Sequence, residues 1–481
     1  MLRISVFVGV FISFFGVGLA GPQSPELHVN EPVLVGDSAL LAACGMEESV
    51  VDVDARAMSA EQGLDSSYCA QVPEDNYHRL ICGGLIDTLN AIQVPAPPTG
   101  ATKPVYATFL APSTGHSGEE LLTVPRIRRD VVDWLNFFEV LGLSGVYVQI
   151  PYPLLTPAWA DNHGGADSYM DFYKWVSAEI EARGMKVIIN HNTIESAYAH
   201  ESLADVRAYY DALTPQRFLA EHIAESQWIA AELRPDYLIL LTEPTSWEAR
   251  LGFDFSSNED CSTCGCSSDY WTAFVAEAVS AVGPLKVEGK PNLGAGSGTW
   301  NPYSYYVGRF NFIPGLDFLD LHVYPVVGGL FEALMTWSDM IRSMSSKSII
   351  VSEAGLFKTI GYPPGDAQDA VRVFSRDARE YWEPLDILFL QKLSDMAWAK
   401  QFDAISPFWG HMFVTYAHAD KPPQELESKD PIEITAAWAE RVFEKISEWG
   451  QEAADEEEGW NHVVDRMTDS GRAYRDLATG Q

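Results

Sequence analysis

The chain has 481 residues, of which 47% are hydrophobic and 12% aromatic, and this is enough for one large core. Its 67 acidic and 32 basic residues give a formal net charge of −35. This charge argues against a nucleic-acid partner, because contact with a phosphate backbone requires a basic surface.

Residues 1–20 have the pattern of a secretory signal peptide. Arg3 is the positive charge, the stretch from Ile4 to Leu19 is apolar, and Gly18-Leu19-Ala20 is a small-residue cleavage site. We therefore predict an extracellular or periplasmic protein. An uncleaved membrane anchor is the alternative, because the apolar stretch is close to the lower length limit for crossing a bilayer.

Residues 21–100 are predicted to form an irregular extension that ends in a proline-rich linker at 94–98. The six cysteines of an exported chain predict disulfides, with Cys69 and Cys82 as one candidate pair. The remaining four are Cys44 and the cluster Cys261, Cys264 and Cys266. Zinc is the alternative for the cluster, but no histidine is near it in sequence, and we predict neither a metal nor a cofactor.

Short apolar runs alternate with longer amphipathic segments between residues 101 and 450, the pattern of βα units on a parallel sheet. The eight predicted strands are 105–110, 146–150, 187–190, 237–241, 291–294 (the weakest), 318–323, 348–351 and 404–408. Predicted helical stretches include 130–143, 169–182, 204–233, 368–401 and a closing helix at 431–449. This order predicts an α/β fold, the (β/α)8 TIM barrel.

An open doubly wound sheet is the alternative fold, and it usually has a glycine-rich phosphate turn after its first strand. The segment Ala111-Pro112-Ser113-Thr114-Gly115 is not such a turn. Residues 451–481 are predicted to form an acidic C-terminal tail.

Two glutamates follow apolar strand cores, Glu243 after the fourth predicted strand and Glu353 after the seventh. A carboxylate at such a position is costly unless it is used or paired. In a barrel, both would lie at the rim formed by the C-terminal strand ends, where active sites of this fold occur. Two carboxylates flanking one bond are what a glycosidase needs, one to donate a proton and the other to attack or to activate water.

The segments around these glutamates resemble those of clan A glycoside hydrolases, and most closely family 5, the cellulase and mannanase group, over about residues 103–450. In that clan the acid/base follows strand 4 in an Asn-Glu-Pro context and the nucleophile follows strand 7. The resemblance implies that Glu243 is the acid/base and Glu353 the nucleophile of a retaining enzyme. It also implies site positions on other strands, namely His191 after strand 3, His322 and Tyr324 on strand 6 and Trp409 after strand 8.

Two positions depart from the family pattern. Thr242 stands where the family has the asparagine that binds the sugar 2-hydroxyl, and Gln149 stands where it has an arginine that supports the nucleophile. Because glutamine carries no charge, the pKa of Glu353 is expected to be less depressed than in relatives. Both residues remain predicted substrate contacts.

Aromatic residues in the predicted loops, above all Trp247 and Trp300, are further candidate sugar contacts and slightly favour an endo-acting or oligosaccharide-trimming enzyme. The predicted partner is thus a polysaccharide or oligosaccharide, and no stable protein partner is implied. Two alternatives stay open. One is a carbohydrate-binding barrel with impaired catalysis, and the other is a metal-dependent hydrolase that uses His191 and His322 with Glu243.

Overall fold

Eight parallel strands with helices between them form the computed structural model, which describes residues 86–195, 200–253, 265–298, 303–324, 329–356, 383–408, 410–416, 431–455 and 459–480. The strands are β1 Val105–Tyr106, β2 Gly145–Gln149, β3 Lys186–Asn190, β4 Tyr237–Leu241, β5 Asn292–Gly298, β6 Phe318–Val323, β7 Ser348–Ala354 and β8 Ala404–Pro407. Each strand pairs with its sequence neighbour from β2 to β8, and β8 pairs with β1. A bridge between Phe109 and Tyr147 then joins the segment that follows β1 to β2. The predicted (β/α)8 TIM barrel is confirmed.

Helices follow every strand and cover the outside of the barrel. They are α1 Pro125–Val140, α2 Ala166–Ala182, α3 Pro215–Leu233, α4 Pro244–Leu251, α5 Gly265–Val282, α6 Tyr303–Phe310, α7 Gly329–Met344, α8 Glu383–Ala399, α9 Pro431–Asp455 and α10 Asp469–Thr479. Shorter α-helical turns lie at Glu120–Thr123, Pro157–Ala160 and Val206–Asp211. Single 3-10 segments lie at Ala111–Ser113, Gly115–Ser117, Glu201–Leu203, Gly283–Leu285, Gly410–Phe413 and Gly459–Arg466.

The prediction of one continuous helix over 204–233 is wrong, because the helical conformation is interrupted before α3 begins. Thr214 caps the new helix by accepting a hydrogen bond from the backbone N–H of Arg217, and Pro215 occupies its first turn. Both are ordinary helix-start signals.

The fifth strand is longer than predicted and rich in glycine, which gives little strand signal in a sequence. A Cβ on Gly296 would lie 1.6 Å from the backbone oxygen of Asp320, and one on Gly294 would lie 2.0 Å from the Phe318 ring. Because β6 approaches this closely, β5 needs residues without side chains at these positions.

Helix α10 lies in the segment that the sequence predicted to be a tail. Its Tyr474 is fully buried and donates a hydrogen bond of 2.9 Å to the backbone oxygen of Ala107, just after β1. The Lys103 ammonium donates to the Ala478 oxygen at the end of the same helix. Helix α10 therefore packs against the start of the barrel.

Several predictions fall outside the described residues, among them the signal peptide, most of the N-terminal extension and the side chains of all six cysteines. The disulfides and the secreted location stay predictions. Within the described parts of the chain, none of the helices is both long and apolar enough to cross a bilayer.

Candidate active site

Glu243 and Glu353 lie together at the C-terminal rim of the barrel, and both are buried. One carboxylate oxygen of each and a ring nitrogen of His322 lie within 4.8 Å of one another. Strand register brings them there, because His322 on β6 is paired with Glu353 on β7. Register shifts interrupt β4, β6 and β7 near these ends, and such bulges commonly re-aim side chains beside active sites.

The backbone of Glu243 is left-handed, with φ 49° and ψ 61°, at the junction of β4 and α4. A non-glycine residue in this region costs about 1–3 kcal/mol, and such strain persists where the surroundings over-determine it. The conformation turns the Glu243 carboxylate toward β6, where His322 Nδ1 lies 2.5 Å from its Oε1.

Glu353 is surrounded by hydrogen-bond donors. Its Oε1 accepts from the Tyr147 hydroxyl at 2.7 Å and from Gln149 Nε2 at 3.3 Å, and its Oε2 accepts from the Tyr324 hydroxyl at 3.1 Å. Burial raises the pKa of Glu353 above its ordinary value, whereas His322 and the Tyr147 hydrogen bond act in the opposite direction. Donors of this kind orient a carboxylate and favour its ionised form.

His322 contacts three carboxyl groups of the site. Its Nδ1 lies 2.5 Å from Glu243 Oε1 and 3.4 Å from Glu353 Oε2, while its Nε2 lies 3.2 Å from Asp320 Oδ2. Burial alone would lower the pKa of His322, but Glu353, Asp320 and Glu243 together raise it well above its ordinary value. These acidic neighbours favour the protonated form of the ring.

A second cation, Arg250 on α4, lies near the pair. Its Nη2 is 2.9 Å from Glu195 Oε2. Burial alone would lower the pKa of Arg250, but the carboxylates of Glu195, Glu243 and Glu353 raise it. The site therefore contains positive charge although Gln149 contributes none.

The group Glu243, His322 and Glu353 offers ligand atoms close enough to hold a metal ion. However, both ring nitrogens of His322 face acceptors, which fits a protonated ring. A protonated imidazole has no lone pair for a metal, so these contacts favour carboxylate chemistry over metal ligation.

Three sequence-predicted residues touch Glu243 or Glu353 directly, namely His322, Tyr324 and Gln149. Thr242 is buried beside Glu243 at the end of β4. Trp300 and Trp409 lie outside the described residues, so their predicted sugar contacts stay predictions.

The structure places His191 away from the carboxylate pair. Its Nε2 lies 2.8 Å from Glu225 Oε2 and its Nδ1 2.9 Å from Ser226 Oγ, both on α3. Successive strand residues point to opposite sides, and Asn190, whose Nδ2 donates to the Tyr147 hydroxyl at 2.5 Å, takes the inward position. His191 therefore faces the helix layer.

Trp247 is likewise placed in the helix layer. It is fully buried, and its ring packs against Phe218, His222, Trp271 and Phe274 at centroid distances between 5.3 and 6.3 Å. These contacts with α3 and α5 are core packing.

The sequence reasoning missed Tyr147, Asp320 and Ser352. Tyr147 shares the strand face of Gln149 two residues later, so the alternation along β2 was the available signal. Asp320 stands in the same relation to His322 on β6, and Ser352 directly precedes Glu353.

Comparisons with known proteins found likeness only among solved structures. No family model matches the chain, and no curated protein matches it. It is similar to the exo-beta-1,4-mannosidase Op5Man5 from Opitutaceae bacterium strain TAV5 at 13% identity and a TM-score of 0.40, over 73% of this chain and 62% of that one. This chain thus spans less than two thirds of that enzyme.

Two further solved structures are similar. One is Cel5A of Thermotoga maritima in complex with mannotriose, at 13% identity and a TM-score of 0.40, over 70% of this chain and 97% of that one. The other is a GH5-4 broad specificity endoglucanase from an uncultured bacterium, at 17% identity and a TM-score of 0.38, over 64% and 84% of the two chains.

Proposed function

We propose that the protein is a retaining glycoside hydrolase that cleaves β-glycosidic bonds in a polysaccharide or oligosaccharide. The observation that supports this most directly is the approach of Glu243 and Glu353, with an oxygen of each within 4.8 Å of the other. Retaining enzymes hold their carboxyl groups about 5–5.5 Å apart, whereas inverting enzymes leave about 6.5–9.5 Å for a water molecule.

The surroundings of the two carboxyl groups suggest which of them is the nucleophile and which is the proton donor. The nucleophile must be an oriented carboxylate, whereas the other carboxyl group must bring a proton to the leaving oxygen. Glu353 accepts hydrogen bonds from Tyr147, Gln149 and Tyr324, which orient it and favour its ionised form. Glu353 is accordingly the nucleophile and Glu243 the proton donor.

The proposed reaction has two displacements. Glu353 attacks the anomeric carbon while Glu243 gives its proton to the departing glycosidic oxygen, and a covalent glycosyl ester forms. Glu243, now ionised, takes a proton from a water molecule that attacks the same carbon and releases Glu353. The configuration at the anomeric carbon is retained.

Substitution of the pair tests this proposal. Glu243→Gln and Glu353→Gln are expected to abolish hydrolysis of aryl glycosides, cellulose, mannan, xylan and glucan. The matched control is Glu221→Gln, a partly buried glutamate that bonds Tyr152 and Tyr209 outside the pair and should leave turnover intact. Hydrolysis that survives in Glu353→Gln would show that Glu353 is not the nucleophile.

Trapping identifies the nucleophile independently. A 2-deoxy-2-fluoro glycoside with a good leaving group should leave one sugar on the protein, and peptide mapping should place it on Glu353. An adduct on another residue would contradict the assignment.

A carbohydrate-binding barrel with impaired catalysis is the second candidate, and the residue at position 149 favours it. Gln149 keeps a hydrogen bond of 3.3 Å to Glu353 but brings no charge. This candidate predicts affinity for a sugar without turnover or a trapped adduct. For either function we propose that the protein is secreted.

A further inference from the structure

Beneath the carboxylate pair lies a second buried polar group, made of Asp320 and Ser352. Asp320 Oδ1 accepts from the backbone N–H of Ser352 at 3.1 Å, and its Oδ2 accepts from the Ser352 hydroxyl at 2.9 Å. Both side chains are fully buried inside the barrel. A buried carboxylate is costly unless it is paired, and here the ring of His322 is its partner.

The direction of these bonds determines where the proton on Nε2 of His322 lies. The Ser352 hydroxyl gives its hydrogen to Asp320, so only its lone pairs remain for His322 Nε2, 3.1 Å away. Asp320 Oδ2, at 3.2 Å from the same nitrogen, can only accept. Both neighbours of Nε2 are therefore acceptors, and Nε2 must carry a hydrogen.

The opposite nitrogen faces Oε1 of Glu243 and Oε2 of Glu353. With Nε2 already protonated, a hydrogen on Nδ1 makes the ring a cation, and the nearby charge of Asp320 favours this form. The alternative is a neutral ring that draws the proton of Glu243 onto the Oε1–Nδ1 contact and away from a substrate.

We propose that Asp320, oriented by the hydrogen bonds from Ser352, is a positioning residue that holds His322 as a permanent imidazolium, whose Nδ1–H binds Oε1 of Glu243 and leaves the catalytic proton on the other oxygen of Glu243. This proposal rests on the proposed hydrolase function for its catalytic consequence, but the charge state of the ring does not. The imidazolium also supplies positive charge beside Glu353, where Gln149 supplies none.

The groups that act on His322 come from several elements. Glu243 faces it from the end of β4, Glu353 and Ser352 from β7, and Asp320 from its own strand. The Tyr147 and Tyr324 hydroxyls bind Glu353, and Arg250 on α4 acts on the pair from a greater distance.

The ring nitrogens of His322 can be observed directly. In the full-length protein labelled with ¹⁵N-histidine, the His322 signals are identified by their absence in His322→Asn. We expect protonated-type shifts for both nitrogens from pH 5 to 8. A ring that loses a proton in this range in the unaltered protein would overturn the proposal, whether or not the protein hydrolyses any sugar.

Asp320→Asn removes the buried charge and keeps the shape. The His322 ring should then lose its second proton at a pH lower by about 1 unit or more, because a neighbouring opposite charge shifts a pKa by about 1–3 units. The alkaline limb of kcat should move to lower pH by the same amount, with little change in KM. Ser352→Ala keeps the carboxylate and should leave the ring charged.

The matched control is Asp130→Asn, which removes another buried carboxyl group, paired with Arg126 on α1. It should change neither the His322 signals nor the pH profile. If the His322 ring of Asp320→Asn loses its proton at the same pH as in the unaltered protein, Asp320 is not the cause and the proposal fails. If the ring behaves as expected but no sugar is cleaved, the hydrolase function fails while the imidazolium stands.

Discussion

Glu225→Gln tests whether the proton between the buried side chains of Glu225 and His191 lies on the carboxyl group or on the imidazole ring. Burial raises the pKa of Glu225 to about 8 and lowers the pKa of His191 to about 3. At neutral pH the proton therefore resides on Glu225, which donates to Nε2 of a neutral ring. A glutamine at this position can donate a hydrogen bond to His191 Nε2 and accept one from the Thr156 hydroxyl. Both hydrogen bonds are therefore kept, while the titratable carboxyl group is removed.

The sign of the effect follows from proton counting. Unfolded Glu225 loses its proton near pH 4.5 and folded Glu225 near pH 8, so the free energy of unfolding falls as pH rises across this window. His191 acts oppositely, because its pKa falls from 6.5 in the unfolded chain to about 3, and it makes the free energy of unfolding rise up to pH 6.5. Between about pH 6.5 and 8 the carboxyl effect is unopposed, which at about 1.4 kcal/mol per pH unit gives on the order of 2 kcal/mol.

Urea unfolding followed by circular dichroism at pH 5, 6.5 and 8 measures this difference. Relative to the unaltered protein, Glu225→Gln should gain about 2 kcal/mol of stability between pH 6.5 and 8. Glu232→Gln is the control, since this surface glutamate on the same helix pairs with Lys174. Unaltered and Glu225→Gln proteins with parallel pH dependence from 6.5 to 8 would refute the reasoning, because the proton would then lie on His191.

Two further predictions concern aromatic residues. Tyr147→Phe removes the donor 2.7 Å from Glu353 Oε1, and since a hydrogen bond to a charged group contributes about 1.5–3 kcal/mol, kcat should fall roughly tenfold to a hundredfold with little change in KM. A KM effect alone in steady-state kinetics would contradict this role. Trp247→Ala should lower the free energy of unfolding by about 3–5 kcal/mol in urea titrations and leave KM unchanged. A higher KM at unchanged stability would place Trp247 in sugar binding instead.

The fold was predictable because seven of the eight strands are recognisable in the sequence as short apolar runs. The two glutamates were predictable for the same reason, since a carboxylate directly after such a run has few explanations besides use. The fifth strand was under-predicted because its glycines serve the close approach of β6, and a sequence records neither the distance between two strands nor the clash that a side chain would cause.

Whether the other site residues could be predicted depended on the direction in which each side chain points. His191 and Asn190 are adjacent at the end of β3, and strand alternation sends only one of them inward. The sequence favoured the histidine, and the structure turns the asparagine toward Tyr147. Trp247 was indistinguishable in sequence from a loop aromatic, because its core contacts come from helices distant along the chain.

The interaction of Ala107 with Tyr474 has a consequence for how the chain folds. Strand β1 is two residues long and pairs with β8, and Ala107, the residue after it, accepts a hydrogen bond from α10. Contacts that span so much of the chain carry a large loop-closure entropy and form slowly. On a ribosome, the ring of strands cannot close before β8 has been made, and α10 can pack against the start of the barrel only after that.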